Sequence, residues 1–587
     1  MLFKRDLLQS LVIIVFFISY LIAFVSSSSS KPNIILIIAD DLGWNDVGFH
    51  GSAEIPTPNI DALAYNGLIM NRHYVLPTCT PSRVSLMTGK YPIRVGLQGD
   101  PMRSQDRVAL PIEEKILPQY LKEQGYKTHL VGKWHLGFYQ TRFTPTKRGF
   151  DSHFGFYSGT TRYNDSVTYS EPYEGIDAHR DLSPAGAEFY RKYLTDVFTE
   201  EAVRIIKNHD RNHPLFLEIS HAAVHAIKNN ILQVRNVDEN NRKFGYIKNE
   251  HRRLFAGILD ALDESVGKVI EALDSSQLLK NSVVLFISDN GGATVDPLWK
   301  YENTASNWPL RGMKTSLYEG GVRGVAALWS PLLIHRNNVT EEIFHISDWL
   351  PTFVAAAGGN VENIRGIDGV NQWNFLNGQQ RTSNRSEVLI NINHKKKNAA
   401  IINGKWKLMR CHLGHTPSFA DEYGGLSERN ESEVIFKIEK VIGSTTNNVI
   451  SKYVSSSLNL SETFLRVRSL ATIDKKCSER ILAANETRTT PCEGDHLFNV
   501  EDDPCEYYII KNISYSSIAN ELKSRLDYFE SVTVKQENII SDWKADPKFF
   551  SGYWKPWLDE EEKFLNCATL FNLSCIAIIT ILLYKII

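Results

Sequence analysis

Cys79 is the residue whose chemistry needs explaining first. The chain has seven cysteines. Cys411, Cys477, Cys492 and Cys505 can pair as two disulfides in an oxidising compartment, their connectivity open. Cys567 and Cys575 belong to an apolar tail. Cys79 lies alone, far upstream, and a solitary thiol in such a protein is a candidate for chemistry. It opens Cys79-Thr80-Pro81-Ser82-Arg83, which continues as Val84-Ser85-Leu86-Met87-Thr88-Gly89-Lys90. Pro81 and Ser82 suit the start of a short helix that stops at Gly89. Cys79 then sits at the positive end of that helix, where an anionic ligand is favoured.

Asp40, Asp41, Asp289 and Asn290 form an all-oxygen set of three carboxylates and one amide. Carboxylates packed together repel unless a cation sits among them. Hard oxygen ligands suit Ca2+ or Mg2+ better than Zn2+. Taken singly, Asp-Asp would serve as a helix cap and Asp-Asn-Gly-Gly as a tight turn. The set gains meaning beside a group of cationic side chains: Arg83, Lys133, His135, His225 and Lys314. Lys133 and His135 are two apart and face the same side of an extended segment. Fixed cations next to a metal suit a small oxyanion such as sulfate or phosphate. Alone, each Lys or Arg would be a solvated surface charge and each His a structural one.

Four apolar runs must position these residues. Asn33–Ala39, Thr128–Val131, Leu215–Ile219 and Ser282–Ser288 are continuous Val/Ile/Leu/Phe stretches, as expected of strands covered on both faces. Between them, Phe255, Ile258, Leu259, Leu262, Val266, Val269 and Ile270 recur at helical spacing within 251–273. The alternation predicts an α/β fold with a doubly wound, mainly parallel sheet and helices on both faces. The runs end in Asp40-Asp41, in Gly132-Lys133-Trp134-His135, in a segment reaching His221 and His225, and in Asp289-Asn290-Gly291-Gly292. Ligands of open α/β sheets bind at the carboxyl ends of strands. Four ends therefore converge on one site.

A chain of 587 residues exceeds one compact core, so two domains are expected. We place a catalytic domain at 31–394 and a smaller C-terminal α+β domain at 395–560. The latter begins with two strands, Ala400–Asn403 and Lys405–Arg410, around an Asn-Gly turn, which predicts an antiparallel sheet. The polar stretch from roughly 425 to 490 reads as a loop-rich insertion in that domain. A formal net charge of −2 gives no pull toward nucleic acid, so any cationic site must be local. Residues 1–30 combine Lys4 and Arg5, an apolar run from Leu7 to Val25 and a serine cluster, the pattern of a signal peptide, with a signal anchor as the alternative. Sequons at Asn164, Asn338, Asn384, Asn430, Asn459, Asn485, Asn512 and Asn572 agree with a secretory route. The tail at 561–587, apolar from about Ala568, fits a removable GPI signal, a membrane segment or a buried last helix.

Cys-x-Pro-Ser-Arg followed by a Thr-Gly-Lys segment resembles the signature of type I sulfatases. The aspartate pair upstream, then GKWHLG and SDNGG, follow in that family's order. The resemblance runs from about Asn33 to Glu506. Within the family it is closest to the arylsulfatase B group, whose best-known target is N-acetylgalactosamine 4-sulfate, through residues 116–156 and 497–506. Met87 replaces a commoner leucine, Ala-Ile-Lys after His225 lacks the usual proline, and several cysteines of the vertebrate lysosomal member have no counterpart here. These departures bear on the substrate rather than on the reaction.

The resemblance implies an alkaline-phosphatase-like fold and one calcium ion held by Asp40, Asp41, residue 79, Asp289 and Asn290. It implies that a formylglycine-generating enzyme oxidises Cys79 to formylglycine in the endoplasmic reticulum. Arg83 and Lys133 would hold that residue, His135 would take a proton from its hydrate, and His225 with Lys314 would stand on the leaving-group side, His225 as proton donor. The substrate would be a sulfated carbohydrate or a small sulfate ester. The protein would be lysosomal, extracellular or anchored at the cell surface, with membrane association through the C-terminal tail. Two other readings compete: a phosphodiesterase or phosphonate hydrolase of the same superfamily, and a non-catalytic glycan-binding surface protein.

Overall fold

The computed structural model describes residues 31–227, 231–294, 304–412, 435–453, 459–473, 493–511, 513–536 and 539–559. Residues 1–30, expected to form a signal peptide, the C-terminal tail, Cys477, Cys492 and the sequons at 430, 485, 512 and 572 lie outside them.

The apolar runs become the centre of a ten-stranded sheet: β1 (Asn33–Ala39), β2 (Lys127–Lys133), β3 (Ser152–Phe156), β4 (Leu215–Ser220) and β5 (Ser282–Ser288). Their spatial order is β5-β1-β4-β2-β3, with every neighbouring pair parallel. Antiparallel strands flank this block, starting with β6 (Ala326–Trp329) beside β5. Both faces are covered, and alternate residues of each strand feed different cores. Ile35, Ile37 and Leu217 pack with the helices α2 (Leu194–Lys207) and α3 (Glu250–Ser275). Ile34, Leu36 and Phe216 pack with α1 (Cys79–Thr88) and α4 (Trp349–Ala356). This is why the runs are apolar throughout rather than alternating. The doubly wound, mainly parallel α/β reading holds.

α1 begins at Cys79 itself, two residues earlier than Pro81 suggests, and ends at Gly89, whose φ of +68° closes it in a left-handed cap. The second sheet is antiparallel and four-stranded: β7 (Glu387–Asn393), β8 (Asn398–Asn403), β9 (Trp406–Cys411) and β10 (Gly494–Asn499). Gly404, at φ +57°, makes the expected turn between β8 and β9. Lys407 on β9 is fully buried between Glu319 at 2.9 Å and Glu506 at 2.8 Å. Glu319 belongs to the segment that carries Lys314, so this buried triad ties the second sheet to that segment. Cys411 and Cys505 each take part in a disulfide.

The structure corrects one reading. The stretch from 435 to 473 is helical where it is described, over Ile438–Ile442, Thr445–Ile450 and Leu460–Ala471, and it packs against the main core rather than the second sheet. Ile450, Phe464, Val467 and Ala471 are buried there beside α3 and the Pro58–Asn66 helix. Polar residues between short apolar repeats had masked a helical pattern. Phe464→Ala should destabilise the protein by about 3–5 kcal/mol in denaturant unfolding. A change within about 0.5 kcal/mol, typical of surface sites, would show that this segment does not belong to the core.

Candidate active site

Four strand ends and one helix start deliver nine of the ten side chains, and the loop before Glu319 delivers Lys314. Asp40 and Asp41 follow β1, Lys133 ends β2 with His135 two residues on, His225 lies beyond β4, and Asp289-Asn290 follow β5. Cys79 is the first residue of α1, and Arg83 lies one turn along it. Asp41 and His135 have φ of +64° and +58°. Left-handed backbone costs energy in residues other than glycine and persists where surroundings enforce it. Here it turns both side chains back over the sheet edge.

The structure brings all ten sequence-derived residues together. Lys133 Nζ lies 2.6 Å from Asp40 Oδ2, both fully buried. Arg83 donates to Asp289 Oδ2 at 3.0 Å and to Ser220 Oγ at 2.5 Å. Lys314 Nζ lies 2.8 Å from the Asp41 carboxylate and 3.1 Å from His225 Nε2. Asn290 Nδ2 donates to Asp41 Oδ1 at 2.7 Å. One donor atom from each of Asp40, Cys79 and Asp289 lies within 4.8 Å of the others. Asp40 Oδ1 and Asn290 Oδ1 are buried and accept no hydrogen bond among the described residues. Buried oxygens left without donors are costly, and two of them beside a carboxylate cluster fit a hard cation with oxygen ligands.

Hydrogen bonds fix both histidine tautomers. His135 Nε2 faces the Met102 carbonyl at 3.0 Å and so carries the proton. Thr80 Oγ1 sits 3.2 Å from the same nitrogen. Nδ1 of His135 is buried and has no hydrogen-bond partner among the described residues, so its lone pair is free. His225 donates from Nδ1 to the carbonyl of Ala226, which leaves Nε2 to accept from Lys314. Burial holds both imidazoles below their ordinary range, and Lys133 and Lys314 add to the effect. Burial would also lower Lys314, but Asp41, together with residue 79 and Asp40, outweighs it and keeps the ammonium charged. The protonated member of the His225–Lys314 couple is therefore the lysine.

Burial pushes the Cys79 thiol up despite Lys133 and Lys314. A buried, protonated thiol is a poor nucleophile, so cysteine-hydrolase chemistry finds no support. Asp289 is raised by burial and by the charge of Asp40. Asp41 is raised by burial but held below its ordinary value by Lys314 and His225.

Sequence reasoning missed Thr80, Met102, Ser220 and Glu218. Met102 contributes a carbonyl, which no side-chain pattern reveals. Glu218 was visible as the one charged residue inside the apolar run of β4. It shares the α1-facing side of that strand with Phe216 and Ser220, beneath Arg83, and its Oε2 has no partner among the described residues.

Fold and site together define an α/β enzyme whose buried cations and oxygen ligands suit a metal ion and an oxyanion. The family model described as Sulfatase matches residues 32–359, more than half of the chain. Arylsulfatase J of Mus musculus is 34% identical over 541 residues, covering 92% of this chain and 82% of that protein. Human N-acetylgalactosamine-6-sulfatase is 32% identical over 59% of this chain and 66% of its own length. Among solved structures, Ps i-CgsB superposes with a TM-score of 0.64 at 28% identity, over 86% of this chain and 94% of that one. A structure of the same enzyme with k-i-k-neocarrahexaose gives 0.65 at 27% identity. The chain belongs to the sulfatase family and is a sulfuric ester hydrolase. These relatives establish the family rather than the narrower 4-sulfatase group to which the sequence motifs point.

Burial lifts Glu218 from an ordinary 4.5 to about 8, against the opposing pull of Arg83. The folded carboxyl keeps its proton where the unfolded chain has released it. Its stabilising contribution is complete below pH 4.5 and is lost as the pH rises through about 8. Glu218→Gln should raise the melting temperature by about 3 °C at pH 7.5 and leave it unchanged at pH 4. An equal shift at both pH values would show that Glu218 is not held protonated.

Proposed function

We propose that the chain hydrolyses sulfate esters of sugars through formylglycine made from Cys79, with one calcium ion at the strand ends. The observation that carries this reading is the free, buried thiol at the start of α1, facing Asp40 and Asp289. Calcium would be held by Asp40, Asp41, Asp289, Asn290 and residue 79. When bound, it offsets the carboxylates' repulsion and draws charge from the sulfate oxygens.

The remaining chemistry falls to the chain's own residues. Oxidation of Cys79 to the aldehyde, followed by hydration, places two hydroxyls where the thiol stood. One attacks sulfur while Asp289 draws off its proton, and the ester S–O bond breaks opposite. The departing oxygen takes a proton from the His225–Lys314 couple. The geometry shifts the donor role assigned to His225 toward Lys314, since His225 Nε2 accepts from that ammonium. His135 Nδ1 then takes the proton of the second hydroxyl, sulfate leaves, and the aldehyde re-forms. Arg83 and Lys133 hold Asp289 and Asp40 in place throughout. Serine at 79 would be esterified but would lack the second hydroxyl that expels sulfate.

Maturation requires a formylglycine-generating enzyme, which fits the signal peptide and the exposed sequons at Asn164, Asn384 and Asn459. Anchoring through the C-terminal tail would place the enzyme at a membrane surface.

The test begins with the mass of tryptic peptide 73–83 from protein secreted by a eukaryotic host. An aldehyde in place of the Cys79 thiol is expected. Cys79→Ala should lower kcat/KM on 4-nitrophenyl sulfate by on the order of a thousandfold or more. Cys79→Ser should release about one equivalent of product and stop. Unmodified Cys79 together with full activity of Cys79→Ala would refute the mechanism.

A further inference from the structure

The hairpin joining β7 to β8 ends in His394-Lys395-Lys396-Lys397, and neither the fold nor the reaction accounts for it. The turn is built rather than loose. Asn393 Oδ1 accepts from the backbone amides of Lys395 and Lys396, at 3.1 and 3.0 Å. Lys397 adopts φ +48°. Lys395 and Lys397 are exposed, and Lys396 is half-buried.

The position of the turn relative to the active site is also fixed. Asn391 on β7 donates to the Gln98 carbonyl at 3.0 Å, and Lys396 Nζ lies 3.3 Å from Asp100 Oδ1. Asp100 is two residues from Met102, at most about 7 Å along the chain. The Met102 carbonyl is the one that holds His135. Arg103 follows, with a half-exposed side chain that donates to Ser541 Oγ at 2.7 Å. The turn thus sets Lys395, Lys396 and Lys397 beside the exposed Asp100, on the same loop as Arg103 and the Met102 carbonyl that meets His135. Asp106, the other carboxylate of this loop, is buried and paired with Arg103.

We propose that this turn is a second anion-binding site, which engages a further sulfate or carboxylate of a glycan whose scissile ester lies at residue 79. The inference rests on the sulfatase reading and narrows its substrate to polyanionic chains rather than monosulfated aryl esters. Exposed lysines bind a single anion weakly, since water and salt screen them within about 8 Å at physiological ionic strength. A chain already held at the buried site meets them at high effective concentration, so several weak contacts act together. A small aryl sulfate reaches only the buried cations and gains nothing from the turn.

The experiment combines Lys395→Ser, Lys396→Ser and Lys397→Asn, since asparagine tolerates positive φ. Hydrolysis of 4-nitrophenyl sulfate is measured against two inhibitors, inorganic sulfate and chondroitin sulfate chains. In the triple variant, kcat/KM and inhibition by inorganic sulfate should stay within about twofold, while chondroitin sulfate should inhibit about tenfold less well or worse. The difference should vanish in about 1 M salt. Retention on chondroitin sulfate resin, read with Cys79→Ala as the common background, should fall in parallel. That arm needs no chemistry, so it decides this inference even if the catalytic reading fails. Equal inhibition and equal retention with and without the lysines would overturn the proposal. So would a loss confined to binding of phosphatidylserine vesicles, which would assign the turn to a lipid surface.

Discussion

Three carboxylates buried side by side are the constraint around which this molecule is organised. Asp40, Asp41 and Asp289 would repel one another severely in a medium that excludes water. Each is met by one cation, Lys133, Lys314 and Arg83 respectively. The pairing is incomplete, because Asp40 Oδ1 and Asn290 Oδ1 still lack donors. The protein thus assembles a surplus of oxygen ligands and restrains it with fixed positive charge, an arrangement suited to a divalent cation and then an oxyanion. A parallel sheet serves this well, since its strands deliver their ends to one edge while their apolar bodies stay locked between two helical layers.

The same charges set the proton inventory. Burial, reinforced by nearby lysines, keeps both imidazoles neutral, and backbone carbonyls decide which nitrogen carries the hydrogen. His135 is left with a bare Nδ1, ready to accept a proton. His225 is left accepting from Lys314, so the proton on that side resides on the lysine. Two histidines in one site thereby acquire opposite tasks from their hydrogen bonds rather than from any difference in residue type. The buried Cys79 thiol is equally instructive, because its environment disfavours a thiolate and suits a neutral group.

Much of this was legible in the sequence. Unbroken apolar runs marked four of the five central parallel strands to within two residues, and their polar ends named seven of the ten residues, because strand polarity puts those ends together; Cys79, Arg83 and Lys314 came instead from the solitary thiol and the set of cations. Legibility failed where backbone geometry carries the meaning. The positive φ of Asp41 and His135, and the Met102 carbonyl that selects a tautomer, have no side-chain signature. It also failed at 435–473, where Phe464 and Val467 are core residues spaced among polar ones. Short helices that cover a larger one need only a narrow apolar stripe, which a reading for loops overlooks.

The second sheet has a larger part in the site than its position in the sequence suggests. Lys407 reaches from β9 into a dry space between Glu319 and Glu506, and Glu506 also accepts from the backbone of Glu319 at 2.6 Å. Tyr74 adds a hydrogen bond to Glu319 at 3.1 Å. Glu319 closes the segment whose earlier residues present Lys314, and that segment is also held by Gly292 and Pro77. A lone buried charge is far costlier than a paired one, so Lys407 and the two glutamates stand or fall as a unit. The sheet that carries Lys407 therefore helps to fix the segment of Lys314 and, through its β7–β8 turn, holds a lysine cluster beside the loop of Met102. The buried triad and the lysine turn thus share one hydrogen-bonded sheet, which keeps their spacing constant.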